Sequence, residues 1–433
     1  MSNLARMRAD FFASGNMIIR NARIVTPIGR KALSGKEMAS LKVIEKGNII
    51  IKKGVITFVG SSESHPFLDF ENEDWEEIDA KGNVVLPGFI DSHTHLVFGG
   101  FREDEFQWRL KGESYMSIME RGGGIQSTVN ATRQESKESL VAKSQWFIDR
   151  MAEMGVTTVE AKSGYGLDPL TELKMLEVID TLASDPEQNL RIIPTFLGAH
   201  AVPPEFKGNT SGFVDLIIND MLPKARNLSK FCDVFCEKNV FELEDTRRLL
   251  SAAKELGFKL KMHADEIVPL GGAELAADLG AVSADHLLHV SEEGIKKMAD
   301  AGVVATLLPL TAFSLKEEYA PARRMIDSGC AVALATDLNP GSCFSGSIPL
   351  TIALACIYMK MSIEEVITAL TLNGAAAVDM ADSIGSIEEG KSGDLVILGC
   401  DNINVLPYYI GMNCVRKTIF KGRLVYDDFF SEN

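Results

Sequence analysis

Eight short apolar runs alternate with longer amphipathic segments through the middle of this chain, and no other feature restricts its fold as much. The runs end near His95, Lys162, Ala199, Glu237, Asp265, His286, Leu310 and Asp337. The pattern is clearest where a helix-like stretch from Ser139 to Met154 precedes the strand-like VTTVEAKSG, Val156 to Gly164. Such alternation predicts parallel strands joined by crossover helices, because parallel neighbours cannot be linked by a tight turn. Eight units over about 300 residues predict a (β/α)8 barrel.

The two ends of the chain have a different texture. Short β-type runs with polar and glycine-containing turns fill Met17 to Val59 and return in DLVILG (Asp394 to Gly399) and VRKTIFKGRLVYD (Val415 to Asp427). The expected fold class is therefore α/β: a TIM-like (β/α)8 barrel over 86–384, with a smaller composite β-sandwich domain built from 1–85 and 385–433. The acidic stretch Asp69 to Asp79 reads as a solvated loop.

At 433 residues and 46% hydrophobic content, the chain can bury a large core. A net charge of −16 and the lack of a long basic run argue against nucleic acid or an anionic membrane as partner. Met1 to Asn16 lacks the apolar centre of a signal peptide, and no window reaches the roughly 18 apolar residues of a membrane span. Seven cysteines without regular spacing suggest reduced thiols and a cytoplasmic location, with Cys232 and Cys236 as core residues. A homodimer is expected on base rates alone.

The chemistry is concentrated in the histidines. Of seven, five (His93, His95, His200, His263 and His286) fall at predicted C-terminal strand ends, where barrel active sites lie. His65, in a polar acidic loop, and His289, three residues beyond His286, read as ordinary structural residues with no part in the chemistry. In an extended strand His93 and His95 share a face and can grip one divalent cation. His263 in KLKMHADEI can add a third nitrogen, with Glu266 reaching over the site, and Asp337 in ALATDLNPG an oxygen. Three imidazoles and a carboxylate suit zinc or iron(II), with positions left for water. Glu266 and Asp337 are the candidates for moving protons, and His286 is the candidate electrophile for a carbonyl oxygen.

These residues sit in motifs that resemble the metal-dependent amidohydrolases, whose PGFIDxHxH strand appears here as PGFIDSHTHL. HTHLVFGGFR, YMSIMERGGGI, KSGYGL, TFLGAHAVP, MHADEI, SADHLLH and ATDLNPGS follow in order across nearly the whole barrel, similar to the members that open an imidazolone ring. The resemblance implies hydrolysis of the cyclic amide of 4-imidazolone-5-propanoate to N-formimidoyl-L-glutamate, in histidine degradation. It implies one metal, Zn2+ or Fe2+, on His93, His95, His263 and Asp337. It also implies substrate contacts at Arg102, Tyr165, His200, Glu266, Asn339, Gly341 and Ser342, with Tyr115 a further pocket residue.

A small anionic substrate wants a guanidinium and phenol hydroxyls, and Arg102, Tyr165 and Tyr115 are of those types. Arg102 read alone also fits a surface ion pair with Glu103 or Asp104. The Gly122–Gly124 run lacks the strand and the Lys-Ser/Thr of a phosphate loop and reads as a substrate-side loop. Leu310 stands where the family pattern has glycine, a change that bears on pocket width. Three other readings stay open: an aminohydrolase of another heterocycle, a binuclear cyclic amidase using Lys238, although the Glu237-Lys238-Asn239 end reads more easily as a solvated turn, and a non-catalytic binding protein on the same scaffold.

Overall fold

The computed structural model describes residues 15–64, 74–113, 117 and 121–428. His65, Tyr115 and Asp69 to Asn72 lie outside the described residues. In chain order the strands are β1 (Met17–Thr26), β2 (Lys42–Lys52), β3 (Val55–Ser61), β4 (Glu76–Asp79), β5 (Val84–Pro87), β6 (Phe89–Asp91), β7 (Val156–Lys162), β8 (Arg191–Ala199), β9 (Phe231–Cys236), β10 (Lys259–Ala264), β11 (Ser283–His286), β12 (Val304–Leu307), β13 (Ala331–Leu334), β14 (Leu395–Leu398), β15 (Val415–Phe420) and β16 (Arg423–Asp427).

β6 to β13 pair in sequence order, every pair parallel, and helices fill the connections, giving the (β/α)8 architecture. The seam between β13 and β6 is closed by Asp91, whose carboxylate accepts from the Thr336 backbone N–H (2.9 Å) and hydroxyl (2.6 Å). Beyond it, Thr94 bridges to Leu338. The remaining strands form a second sheet in the order β16-β15-β14-β5-β1-β2-β3, with β4 beside β1. Both ends of that path face one apolar cluster, which includes Ile56 of β3 and has the partly buried Leu424 of β16 packed against it, so the sheet folds over on a core of its own. Gly88 carries the chain from one sheet to the other. A Cβ there would lie 2.2 Å from the Thr157 hydroxyl, so only glycine allows β6 to run against β7 at this point.

Three sequence expectations are corrected. The seventh barrel strand ends at Leu307 rather than near Leu310, because Pro309 opens a helix over Pro309–Leu315. Glu76–Asp79, expected in a loop, pairs in parallel with β1. Glu237 is not part of a solvated turn: it is buried, and its carboxylate accepts from the backbone N–H groups of Lys238 and Ile267, tying β9 to the loop that bears Glu266. Lys238 itself is exposed. Cys232 and Cys236 are buried core residues, and all seven cysteines are free. Among the described residues no helix is long and apolar enough to cross a membrane.

Candidate metal centre and active site

The five rim histidines converge. His93 and His95 follow the short β6 on a segment that stays extended, so both rings turn inward with centroids 5.4 Å apart. His263 lies 4.6 Å from His93, His286 lies 5.1 Å from His263, and His200 stacks on His95 at 4.8 Å. Tyr165 packs 5.8 Å from His95 and 5.2 Å from His200. His289 is exposed.

Asp337 completes the group from the opposite side of the seam. Its φ of 54° puts a non-glycine residue in the left-handed region, where Thr311 donates a hydrogen bond of 2.6 Å to Oδ2. The other oxygen, Oδ1, then faces His93 Nε2 at 3.6 Å and His95 Nε2 at 3.5 Å. Nitrogen and oxygen atoms of His93, His95 and Asp337 lie within 4.8 Å of one another, as do nitrogens of His93, His263 and His286.

Two observations bear on whether a cation fits. His93 Nε2 and Asp337 Oδ1 are buried and have no hydrogen-bond partner, a situation that ordinarily costs about 1–3 kcal/mol per group. Burial, the largest influence, lowers His93, His95 and His286 well below the ordinary imidazole value and takes His200 to about 3, so their lone pairs are free at neutral pH. Burial works against a charged His263, yet Asp233 raises it above the ordinary imidazole value, so this ring would release a proton on joining the others at a cation. Orphaned, converging nitrogens beside a carboxylate are what a divalent cation requires.

Glu266 reaches over the group, with Oε2 3.5 Å from His286 Nε2. Although 17% of its side chain stays open, burial and then the nearby Asp337 push its carboxyl up to about 8. Asp337 is raised to about 6, chiefly by burial. Burial, with Asp337 next, also pushes the Tyr165 phenol up and keeps it a neutral donor.

Arg102 is half-buried and donates through Nε and Nη2 to Glu105 (2.9 and 2.8 Å), not to Glu103 or Asp104. Glu105 also accepts from the backbone N–H of Gly124, which fixes the glycine run against the helix Glu103–Leu110. Arg102 Nη1 would lie 2.2 Å from a Cβ at position 341, so Gly341 is what lets the guanidinium pack there. The Asn339 amide closes its own loop, accepting from the Gly341 and Ser342 N–H groups and donating to the Asp337 carbonyl. Next to this rim is a cavity of about 610 Å3 lined by Phe101, Arg102, Arg109, Leu310 and Phe344 among others. None of the histidines lines it, whereas Arg102 and Gly341, in the loop that follows Asp337, do.

Sequence reasoning missed a buried ionic layer under the histidines. His93 Nδ1 lies 2.6 Å from Asp285 Oδ2, whose other oxygen accepts from the Ser283 hydroxyl at 2.7 Å. His263 Nδ1 lies 3.0 Å from Asp233 Oδ2 in a contact bent away from the ring N–H direction. Lys162 Nζ donates to Asp233 (2.8 Å) and lies 2.9 Å from Glu160, while Lys261 Nζ lies 3.2 Å from Glu160 and 3.7 Å from Asp285. Burial works against Asp233 as an anion, yet His263 and Lys162 hold it well below the usual carboxylate range. The available signal was a charge inside an apolar strand, at Glu160, Lys162, Asp233 and Lys261. Arg109, which brings a second guanidinium to the cavity, gave no local signal.

The sequence profile of the amidohydrolase family matches residues 84–425. The chain belongs to the amidohydrolase family. Imidazolonepropionase from Bacteroides thetaiotaomicron is 63% identical over 415 residues, spanning 95% of this chain and 99% of that protein. The protein of the same name from Phocaeicola vulgatus is 60% identical, spanning 96% and 100%. Among solved structures, E. coli guanine deaminase superposes with a TM-score of 0.68 at 17% identity, covering 95% of this chain and 99% of that one. A 5-methylcytosine deaminase from Klebsiella pneumoniae gives 0.71 at 16%, covering 95% and 98%. At that identity the likeness concerns the fold alone. This amidohydrolase is a hydrolytic enzyme with a His/Asp metal site on the C-terminal rim of its barrel.

Proposed function

We infer that the enzyme hydrolyses the cyclic amide of 4-imidazolone-5-propanoate to N-formimidoyl-L-glutamate, as an imidazolonepropionase of histidine degradation. The observation that carries this reading is the near full-length identity to relatives of that name. The metal, one Zn2+ or Fe2+, would be held by His93, His95, His263 and Asp337. Once bound there, such a cation lowers the pKa of water and polarises a carbonyl.

The chain's own residues supply the rest. Glu266, over the site, is placed to take a proton from the attacking water and pass it to the ring nitrogen when the C–N bond breaks. Asp337 is the other carboxylate able to share that proton, and the two would titrate as a pair. His286, neutral and 3.5 Å from Glu266, is the donor for the ring carbonyl oxygen. Tyr165 and His200 wall the substrate on the His95 side. Arg102, beside Gly341 in the Asn339–Ser342 loop, is the anchor for the propanoate, with Arg109 close by. The reading carries a cytoplasmic homodimer with it; the free cysteines favour the compartment.

Ring opening of freshly generated 4-imidazolone-5-propanoate, followed by its ultraviolet absorbance with metal-loaded and chelated protein, tests the assignment. Loss of absorbance only with metal supports it. No turnover with stoichiometric metal bound, together with ammonia release from another heterocycle, would replace the substrate and keep the site. Arg102→Met is expected to raise KM by about tenfold or more with kcat little changed, since it removes binding remote from the reacting bond. An unchanged KM would take Arg102 out of the pocket.

A further inference from the structure

Beneath the histidines the barrel is filled by charge, where branched apolar side chains ordinarily pack. Glu160, Lys162, Asp233, Lys261 and Asp285 come from β7, β9, β10 and β11 and are each fully buried. Buried ion pairs seldom stabilise a fold better than apolar packing would, so stability alone does not account for them. Two of the carboxylates reach upward to imidazoles: Asp285 is hydrogen-bonded to His93 Nδ1 at 2.6 Å, and Asp233 lies 3.0 Å from His263 Nδ1 in a bent contact. An imidazole whose Nδ1–H is held by a carboxylate presents the lone pair of Nε2 on its other side.

We propose that these five residues are the positioning layer of the metal centre: Asp285 aims His93, Asp233 bears on His263 from below, and Lys162 and Lys261 hold the two aspartates. This deepens the metal-centre reading above and rests on it. The Glu160, Asp285 and His93 atoms lie within 4.8 Å of one another and would themselves suit a cation. Lys261 Nζ, 3.2 Å from Glu160 and 3.7 Å from Asp285, already occupies that role.

The test joins histidine NMR to metal affinity. In metal-free wild-type protein, 15N spectra should show His93 as the Nδ1–H tautomer, assigned by loss of its signals in His93→Gln; an Nε2–H tautomer overturns the proposal. Asp285→Asn and Lys162→Met are each expected to weaken Zn2+ binding about 10- to 100-fold in chelator competition, with a smaller effect on kcat at saturating metal. If either fails to fold by near-ultraviolet circular dichroism, Lys162→Met/Asp233→Asn, which removes one charge of each sign, is measured instead. Folded variants binding Zn2+ within about twofold of wild type would show a merely structural layer and overturn the proposal. Wild-type protein that binds no Zn2+ or Fe2+ would instead overturn the metal-centre reading beneath it.

Discussion

Replacing His263 with alanine is expected to abolish metal retention and turnover together. His263 sits at the middle of the group, 4.6 Å from His93, 5.5 Å from His95 and 5.1 Å from His286. Its loss takes away a nitrogen donor and also leaves Asp233 facing a gap. Disturbing only the outer partners of a metal ligand typically costs about 10- to 100-fold in affinity, so losing the ligand should exceed that. Turnover should fall on the order of a thousandfold or more, because water activation goes with the cation. Metal content after dialysis and ring-opening rate are the paired measurements, with the exposed His289→Ala as control. Full activity with stoichiometric metal in His263→Ala would remove it from the ligand set.

Glu266→Gln should separate proton transfer from metal binding. The amide has nearly the same shape but cannot take a proton, so kcat is expected to fall by about 10²–10⁴-fold with metal content unchanged. The same variant carries a pH signature in the metal-free protein. The carboxyl of Glu266 stands at about 8 in the folded chain against an ordinary 4.5, so between those values the folded state holds a proton that the unfolded chain has released. The folded state then binds more protons than the unfolded one, and stability falls as pH rises through that window. Glutamine cannot contribute to that fall. The Tm of metal-free Glu266→Gln relative to wild type should therefore climb between pH 5 and pH 8, and a difference independent of pH would contradict the raised carboxyl.

The barrel was legible because strand and helix periodicities alternate locally, and a local pattern is what a sequence displays. The strand termini were less so: LLPLTAF continues apolar past the end of β12, and only the position of Pro309 within it marks the turn into a helix. The histidines and Asp337 could be found because unusual residue types recur at one structural position, the C-terminal strand end. The ionic layer could not be assembled in the same way. Lys162 meets Asp233 across 71 positions and Lys261 meets Ser92 across 169, so each charge shows its purpose only beside partners that no window of sequence contains. Glu237 misled for a related reason, since the backbone groups that bury its carboxylate at Ile267 and Val268 belong to the next barrel strand's loop.

The join between β5 and β14 sets the order in which this protein can be finished. Pro87 lies against Leu395, so during synthesis the β5 edge waits while the roughly 300 intervening residues are made, some 15–60 s at common elongation rates. Every rim histidine and Asp337 precede β14, so an interrupted chain can carry all the groups named for the chemistry and still present the bare apolar strand Val84–Pro87. Open edges of that kind pair readily with other chains. The closing strands thus act as a seal of completion, and in cells short of chaperones the yield of this enzyme should depend on how promptly its last strands find its first.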